Sequence, residues 1–164
     1  MQYPPNFTFE ELTRSQVASS NNIDNIPTDE DVLTNLIALA WFLQGLKNAL
    51  MAHFGENVKV RVGSGYRCLD LNSHQDIRGS KTSRHMNGLA GDVTCSHLSP
   101  FRLAEFVENH PEIEFEKMIN EFGRWVHFGI SLTSSNKIVY TAVKVKRKTK
   151  YIEGLKVGEI RGFK

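Results

Sequence analysis

The chain has 164 residues, 40% of them hydrophobic and 23% charged, which is typical of one globular domain whose core needs no disulfide support. No apolar run approaches the ~20 residues that span a bilayer. The N-terminus lacks a secretory signal pattern, so we expect synthesis and retention in the cytoplasm. Charge is uneven: residues 144–164 hold eight basic and two acidic side chains, which leaves residues 1–143 acidic.

The first third of the chain predicts two helices separated by a loop. Thr8 opens a capping box and a short helix. Residues 18–27, rich in serine and asparagine, predict a loop. Thr28 is then a suitable N-cap for the main helix, because three acidic residues follow it in the first turn. Apolar residues with a period of 3.6 extend this helix to about residue 53, with Gly55 near its end.

The middle of the chain predicts short strands and a helix. Residues 58–62 alternate between apolar and basic side chains, as a strand does. Residues 68–84 show no strong period and predict a short helix within an irregular loop. Residues 89–95 predict a second strand. Ser99, followed by a proline, predicts the start of a helix that ends before Pro111.

The last third predicts a hairpin and one more strand. Residues 115–122 and 124–131 are two predicted strands joined at Gly123. Residues 138–145 alternate and predict an edge strand. Helices and strands mixed in this order, with an adjacent hairpin, indicate an α+β fold in which an antiparallel sheet packs against helices.

Asp92 is the first indication of a functional site. It lies among apolar residues of a predicted strand, where a carboxylate costs several kcal/mol unless it is paired or bound to a metal ion. His85 lies seven residues before it. Gly88 and Gly91, between them, tolerate positive φ and would let the backbone double back. Imidazole nitrogen and carboxylate oxygen are both ligands that zinc accepts.

The strand at 124–131 supplies a second histidine. Its apolar even-numbered residues are predicted to face the core, and its odd-numbered residues Trp125, His127 and Gly129 the opposite side. Trp125 would then form one wall of a cleft. Together, His85, Asp92 and His127 predict a zinc site with three protein ligands and an open fourth position.

Residues along most of the chain carry a family resemblance. They are Phe7, Phe9, Glu11, Leu12, Thr13, Ile23, Asp24, Asn25, Pro27, Ser64, Gly65, Tyr66, Arg67, Ser83, His85, Gly88, Ala90, Asp92, Glu121, Phe122, Trp125, Val126 and His127. This pattern, over about residues 7–131, resembles the D-alanyl-D-alanine carboxypeptidase and endopeptidase family of zinc peptidases. It is most similar to the phage-type murein endopeptidases. The resemblance implies the fold that the family shares with the hedgehog signalling domain.

The resemblance also implies roles for individual residues. His85, Asp92 and His127 match the three zinc ligands. Arg67 matches an arginine that binds a carboxylate or carbonyl of the substrate peptide, and Ser83 matches a second substrate contact. The alternatives are a surface salt bridge for Arg67 and a turn or N-cap hydroxyl for Ser83.

Glu121 is the residue that the resemblance offers as the general base. The carboxypeptidase branch has its acid close before the last histidine, whereas this chain has Arg124 three residues before His127. Glu121, six residues before His127, is the acid available, and hedgehog-type members have a glutamate at a similar distance. The alternative is a surface acid paired with Arg124.

The function implied is a zinc metallopeptidase that hydrolyses bacterial peptidoglycan stem peptides or cross-links, with Zn2+ as cofactor. Carboxypeptidase and endopeptidase action both remain open. We expect a monomer. We also expect no binding of nucleic acid, because the chain has neither a basic patch with interleaved aromatic residues nor a known motif. It would act in cell-wall lysis as a phage endolysin does, after release or as part of a virion. The alternative is a non-catalytic zinc-containing module of hedgehog-like fold that binds the cell wall or a protein.

Two features remain open in the sequence. The basic segment 144–164 is either a tail or an edge strand of the domain formed by residues 1–143, and its charge either binds the anionic wall or maintains solubility. Cys68 and Cys95 are expected to be free thiols in a reducing compartment. A bridge between them is the alternative, because both flank the candidate site.

Overall fold

A computed structural model describes residues 2–146 and 148–156. Within that part of the chain, no helix combines the length and the apolar character that crossing a membrane requires. The elements in chain order are α1 Phe9–Thr13, α2 Gln16–Ser20, α3 Glu30–Phe54, β1 Val60–Ser64, α4 Leu69–Ser73, a 3₁₀ turn Arg84–Asn87, β2 Ala90–Cys95, α5 Pro100–Glu108, β3 Lys117–Glu121, β4 Trp125–Gly129, β5 Ile138–Val145 and β6 Lys148–Glu153. This mixture of helices with a six-stranded sheet confirms the α+β class.

Local hydrogen bonds set most helix ends where the sequence predicts them. The Thr8 hydroxyl accepts from the Glu11 N–H, and α5 begins directly after Ser99. The N-cap of α3 is Asp29 and not Thr28, because the Asp29 carboxylate accepts from the Val32 N–H and adds a negative charge at the positive helix end. The predicted loop at 18–27 is also wrong at its start, where α2 continues to Ser20.

The strands form one sheet in the order β1-β2-β4-β3-β5-β6. All neighbours are antiparallel except β3 and β5, which are parallel, so the expected antiparallel sheet is wrong at this pair. The reason is the path of the loop between β4 and β5. Gly129 and Ile138 both lie beside Lys117 at the start of β3, and β5 must therefore run in the direction of β3.

The predicted strand 138–145 has the expected bounds but is not at the edge of the sheet. Strand β6 pairs along its outer side, from Tyr140 with Glu153 to Val145 with Lys148. The start of the basic segment thus belongs to the sheet. Its last residues, 157–164, lie outside the described residues.

One face of the sheet packs on α3 and α5 and forms the core. Val126 and Phe128 of β4 and Met118 of β3 have no exposed surface. They pack with the buried leucines of α3, which include Leu39 and Leu43. Each such fully buried side chain contributes about 1.5–3 kcal/mol relative to leaving it exposed.

The register aligns the residues of the other face in rows across the strands. The Asp92 row contains Asp92, His127, Ile119, Tyr140 and Glu153. The Glu121 row, two residues further along each strand, contains Trp125, Glu121, Ala142 and Tyr151. Because side chains of paired residues point to the same side, both rows lie opposite the core.

Candidate metal centre

Three side chains from three elements meet at one point on this face. His127 Nδ1 lies 2.9 Å from Asp92 Oδ1. His85 Nε2 lies 3.2 Å from His127 Nδ1 and 3.3 Å from Asp92 Oδ1. Tetrahedral ligands about 2.0–2.1 Å from one zinc ion are roughly 3.3 Å apart, so the three donor atoms have the spacing of a metal site. Among the described residues, His85, Asp92 and His127 are the group whose donor atoms lie close enough together to hold a metal ion.

His85 is held by backbone groups that set the orientation of its ring. Its Nδ1 lies 2.6 Å from the Gly65 carbonyl oxygen, so an Nδ1–H that donates there leaves the Nε2 lone pair directed at Asp92 and His127. Gly65 itself can carry no side chain, since an added Cβ would lie 2.3 Å from the Leu12 carbonyl oxygen.

Only one of the two glycines between His85 and Asp92 has the predicted positive φ. Gly88 ends the 3₁₀ turn at φ 69°, where it lets the chain reverse into β2. Gly91 lies in regular strand and is not among the glycines with positive φ, so that part of the expectation is wrong. A Cβ at Gly91 would instead meet Leu39 of α3 at 3.8 Å.

The charges of the three side chains are strongly coupled. Burial opposes ionisation of Asp92, yet His85 and His127 hold the pKa of its carboxyl well below its usual range. Burial also lowers the pKa of His85 and favours its neutral ring, although Asp92 acts in the opposite direction. A buried carboxylate that faces two imidazole nitrogen atoms is a donor set suited to a cation.

Arg67 forms the second layer of this centre. Its Nη2 donates to Asp92 Oδ2 at 2.6 Å, and its Nε donates to Ser64 Oγ at 2.8 Å. Its backbone N–H donates to the carbonyl oxygen of His85. The pairing is with a carboxylate only 11% exposed, so the surface salt bridge considered for Arg67 is not what forms. The guanidinium orients the Asp92 oxygen that faces away from the histidines.

Glu121 lies on the same face as the three donor atoms. It pairs with Trp125 across the β3–β4 hairpin and is the diagonal neighbour of His127. Burial, and then the charge of Asp92, raises the pKa of Glu121. No ion pair joins Glu121 to Arg124 among the described residues, and Arg124 is exposed. The charges of Asp92, His127 and Arg67 all act on the Glu121 carboxyl, which places it within electrostatic range of the centre.

Ser83 and Trp125 lie two residues before His85 and His127, respectively. Ser83 precedes the 3₁₀ turn that carries His85, and its side chain makes no capping hydrogen bond. The hydroxyl is thus not occupied as the N-cap that the sequence left open. Trp125 pairs with Glu121 across the hairpin, and its buried Nε1–H has no hydrogen-bond partner within the described part of the chain.

Asn25 supports the centre from outside it; the family resemblance includes this residue but assigns it no role. Asn25 donates to the carbonyl oxygens of Thr13 and Tyr66 and accepts from the Cys68 N–H, which joins the N-terminal loop to the residues on both sides of Arg67. A surface-type asparagine in a predicted loop gives no indication of such burial. Cys68 and Cys95 are free thiols, as expected, and the alternative of a bridge between them does not occur.

Comparison with known proteins gives two findings. Residues 5–129 match the family model described as Peptidase M15. Over 107 residues the chain is 30% identical to the zinc D-Ala-D-Ala carboxypeptidase of Streptomyces albus G. That alignment covers 65% of this chain but only 38% of the relative. The family match, over residues 5–129, includes every residue of the centre described above and ends before β5.

Proposed function

The chain belongs to the peptidase M15 family, and from this premise we propose that it is a zinc peptidase that hydrolyses bacterial peptidoglycan stem peptides or cross-links. The observation that carries the proposal is the convergence of His85 Nε2, Asp92 Oδ1 and His127 Nδ1 to within 2.9–3.3 Å of one another. A relative named as a zinc carboxypeptidase supports both the metal and the reaction class.

His85, Asp92 and His127 would hold the zinc ion. When bound, such an ion lowers the pKa of a coordinated water and polarises a carbonyl group as a Lewis acid. The protein's own contribution is to fix the three donor atoms. The Gly65 carbonyl orients His85 and the Arg67 guanidinium orients Asp92.

Glu121 is the residue we assign as general base. Its carboxylate takes a proton from the attacking water as the water oxygen bonds to the carbonyl carbon. It then delivers that proton to the leaving amine as the C–N bond breaks. Its position, diagonal to His127 on the same face and free of Arg124, supports this role. Burial raises the pKa of this carboxyl, which makes its carboxylate a stronger base than that of an exposed glutamate.

Substrate contacts are assigned to three residues around the centre. Trp125 forms one wall of the cleft, and the Ser83 hydroxyl, which caps no helix, is available to the substrate. Arg67 would bind a substrate carboxylate or carbonyl oxygen with the part of its guanidinium that Asp92 and Ser64 leave unused.

The biological setting that we propose is cell-wall lysis of the phage endolysin type. The protein would be a monomer that is made in the cytoplasm and acts on the wall after release or as part of a virion. The domain would comprise residues 1–143, with the basic segment as its edge strand. Whether the bond cut lies at a chain end or within a cross-link is decided by the products of the following experiment.

The test uses purified peptidoglycan and measures newly released amino termini. We expect release by the zinc-loaded protein, none in the presence of a chelator, and recovery when zinc is added back. Glu121→Gln should lower kcat by about 10²–10⁴-fold, because it removes the base. Its zinc content should stay stoichiometric.

The matched control is Glu56→Gln, an exposed glutamate in the loop after α3, which should keep full activity. Zinc binding without any release, in both wild type and Glu121→Gln, would instead indicate a non-catalytic zinc module. Full activity of Glu121→Gln would contradict the assignment of the base.

A further inference from the structure

Strands β5 and β6 continue the face that carries the metal centre, although both lie beyond the residues 5–129 that match the family. Tyr140 of β5 pairs with Ile119, which in turn pairs with His127. Tyr151 of β6 pairs with Ala142, which in turn pairs with Glu121. Each tyrosine therefore extends one of the two rows that hold the centre.

The two tyrosines are not part of the core. The β5 residues that alternate with Tyr140, namely Thr141 and Val143, face the core and are buried. Tyr140 is only half-buried, and Tyr151 is 54% exposed. Their rings lie 6.5 Å apart at 75°, an edge-to-face pair. Aromatic surface of this kind, exposed beside a reaction centre, is suited to be covered by a ligand.

A small residue separates Glu121 from Tyr151 in one row, whereas Ile119 lies between His127 and Tyr140 in the other row. Ala142, between Glu121 and Tyr151, has a side chain of one methyl group and no exposed surface, so the larger residues around it cover it. The charge of Glu121, after burial, contributes to raising the pKa of Tyr151, which places the two side chains within electrostatic range.

The spacing of the strands gives the distance at which a substrate would meet the tyrosines. Tyr140 is two strands away from His127, and Tyr151 is two strands away from Glu121. Adjacent strands are ~4.8 Å apart, so each separation is roughly 10 Å. An extended peptide advances about 3.3 Å per residue and reaches that distance after about three residues.

We propose that Tyr140 and Tyr151 form a substrate subsite that binds the aliphatic and amide groups of an extended stem peptide, about three residues from the scissile bond. The inference rests on the proposed function and adds a length requirement to it. The β5–β6 hairpin makes the enzyme prefer long peptides over dipeptides. Neither tyrosine takes part in the chemical step.

The test is a series of capped stem peptides of two to six residues, with the cleaved bond located by the mass of the products. For peptides that extend at least three residues from that bond toward the hairpin, Tyr151→Ala should raise KM by about tenfold with kcat unchanged. Dipeptide hydrolysis should not change. Tyr140→Ala should act in the same direction, and Tyr151→Phe should retain the wild-type KM because the ring remains.

Lys150→Ala is the matched control, since Lys150 precedes Tyr151 on β6 but pairs with Val143 on the opposite face. It should leave KM unchanged at every length. Equal effects of Tyr151→Ala on short and long peptides, or no effect of either tyrosine variant, would overturn the subsite.

A binding measurement separates failure of the subsite from failure of the proposed function. Zinc-loaded Glu121→Gln and the double variant Glu121→Gln/Tyr151→Ala are titrated calorimetrically with the same peptides. If the wild type cleaves nothing, the proposed function fails, but a length-dependent loss of affinity in the double variant still supports the subsite. Equal affinities, or no binding of any peptide, overturn it.

Discussion

The metal centre and the tyrosine pair share one face of one sheet, but the protein holds them in opposite ways. His85 and Asp92 are almost fully buried, and each has a second hydrogen bond that sets its orientation. Tyr140 is half-buried and Tyr151 is 54% exposed, and their rings lie edge to face 6.5 Å apart. Bond hydrolysis needs donor atoms fixed to a fraction of an ångström, whereas recognition of a chain needs accessible surface.

Substitutions in the metal centre and in the tyrosine pair should differ most in their effect on zinc affinity. His127→Ala should weaken zinc binding by more than about 100-fold, because it removes a ligand and not merely its support. Tyr140→Ala, in the same row, should leave zinc binding unchanged. Competition with a chromophoric chelator measures both, with circular dichroism as the check on folding.

Stoichiometric zinc in a His85→Ala/His127→Ala double variant would contradict the assignment of the centre. A loss of zinc in Tyr140→Ala would show that the two regions are not independent.

The second layer of the centre should have a smaller effect. Arg67→Lys keeps the positive charge but cannot bond Asp92 and Ser64 at once with a planar fork. We expect zinc affinity to fall by about 10–100-fold. Arg61→Lys, at an exposed position of β1, is the control and should have wild-type affinity. An unchanged affinity in Arg67→Lys would mean that the planar guanidinium is not needed to orient Asp92.

The smallest expected effect lies at the junction of the two regions. Glu116 accepts hydrogen bonds from Asn136 Nδ2 at 2.7 Å and from Ser134 Oγ at 2.9 Å, which ties down the loop between β4 and β5. These bonds, Asn136 first, lower the pKa of Glu116. Their contribution to stability is present above about pH 4.3, the usual glutamate pKa, and is lost as pH falls toward the lower folded value.

Thermal unfolding at pH 7 and pH 3.5 tests this contribution. Lowering the pH from 7 to 3.5 should decrease the melting temperature of the wild type more than that of Glu116→Gln, because the glutamine side chain does not titrate. Glu56→Gln should behave as the wild type does. Equal losses in wild type and Glu116→Gln would show that the carboxylate does not stabilise the junction.

The sequence predicted the elements best where their ends depend on neighbouring residues. Ser99 caps α5, Gly55 ends α3, and β5 has the predicted bounds. Caps and alternation are local hydrogen-bonding and burial preferences, so a short window of residues contains them. The direction of β5 was missed, and an edge strand in the basic segment, which is β6, was only one of two alternatives left open. Both depend on how a loop crosses the end of the sheet.

The sequence by itself determined which residues offer metal-binding chemistry and which side of β4 they face. Alternation sends His127 and Trp125 away from Val126 and Phe128 in any register. Only the tertiary structure decided what those side chains meet. Strand order and register bring His127 beside Asp92, Arg67 against the same carboxylate, and two tyrosines into the rows of the centre. A period of two sets the face of a strand but not its partner, so contacts between distant residues depend on the folded sheet.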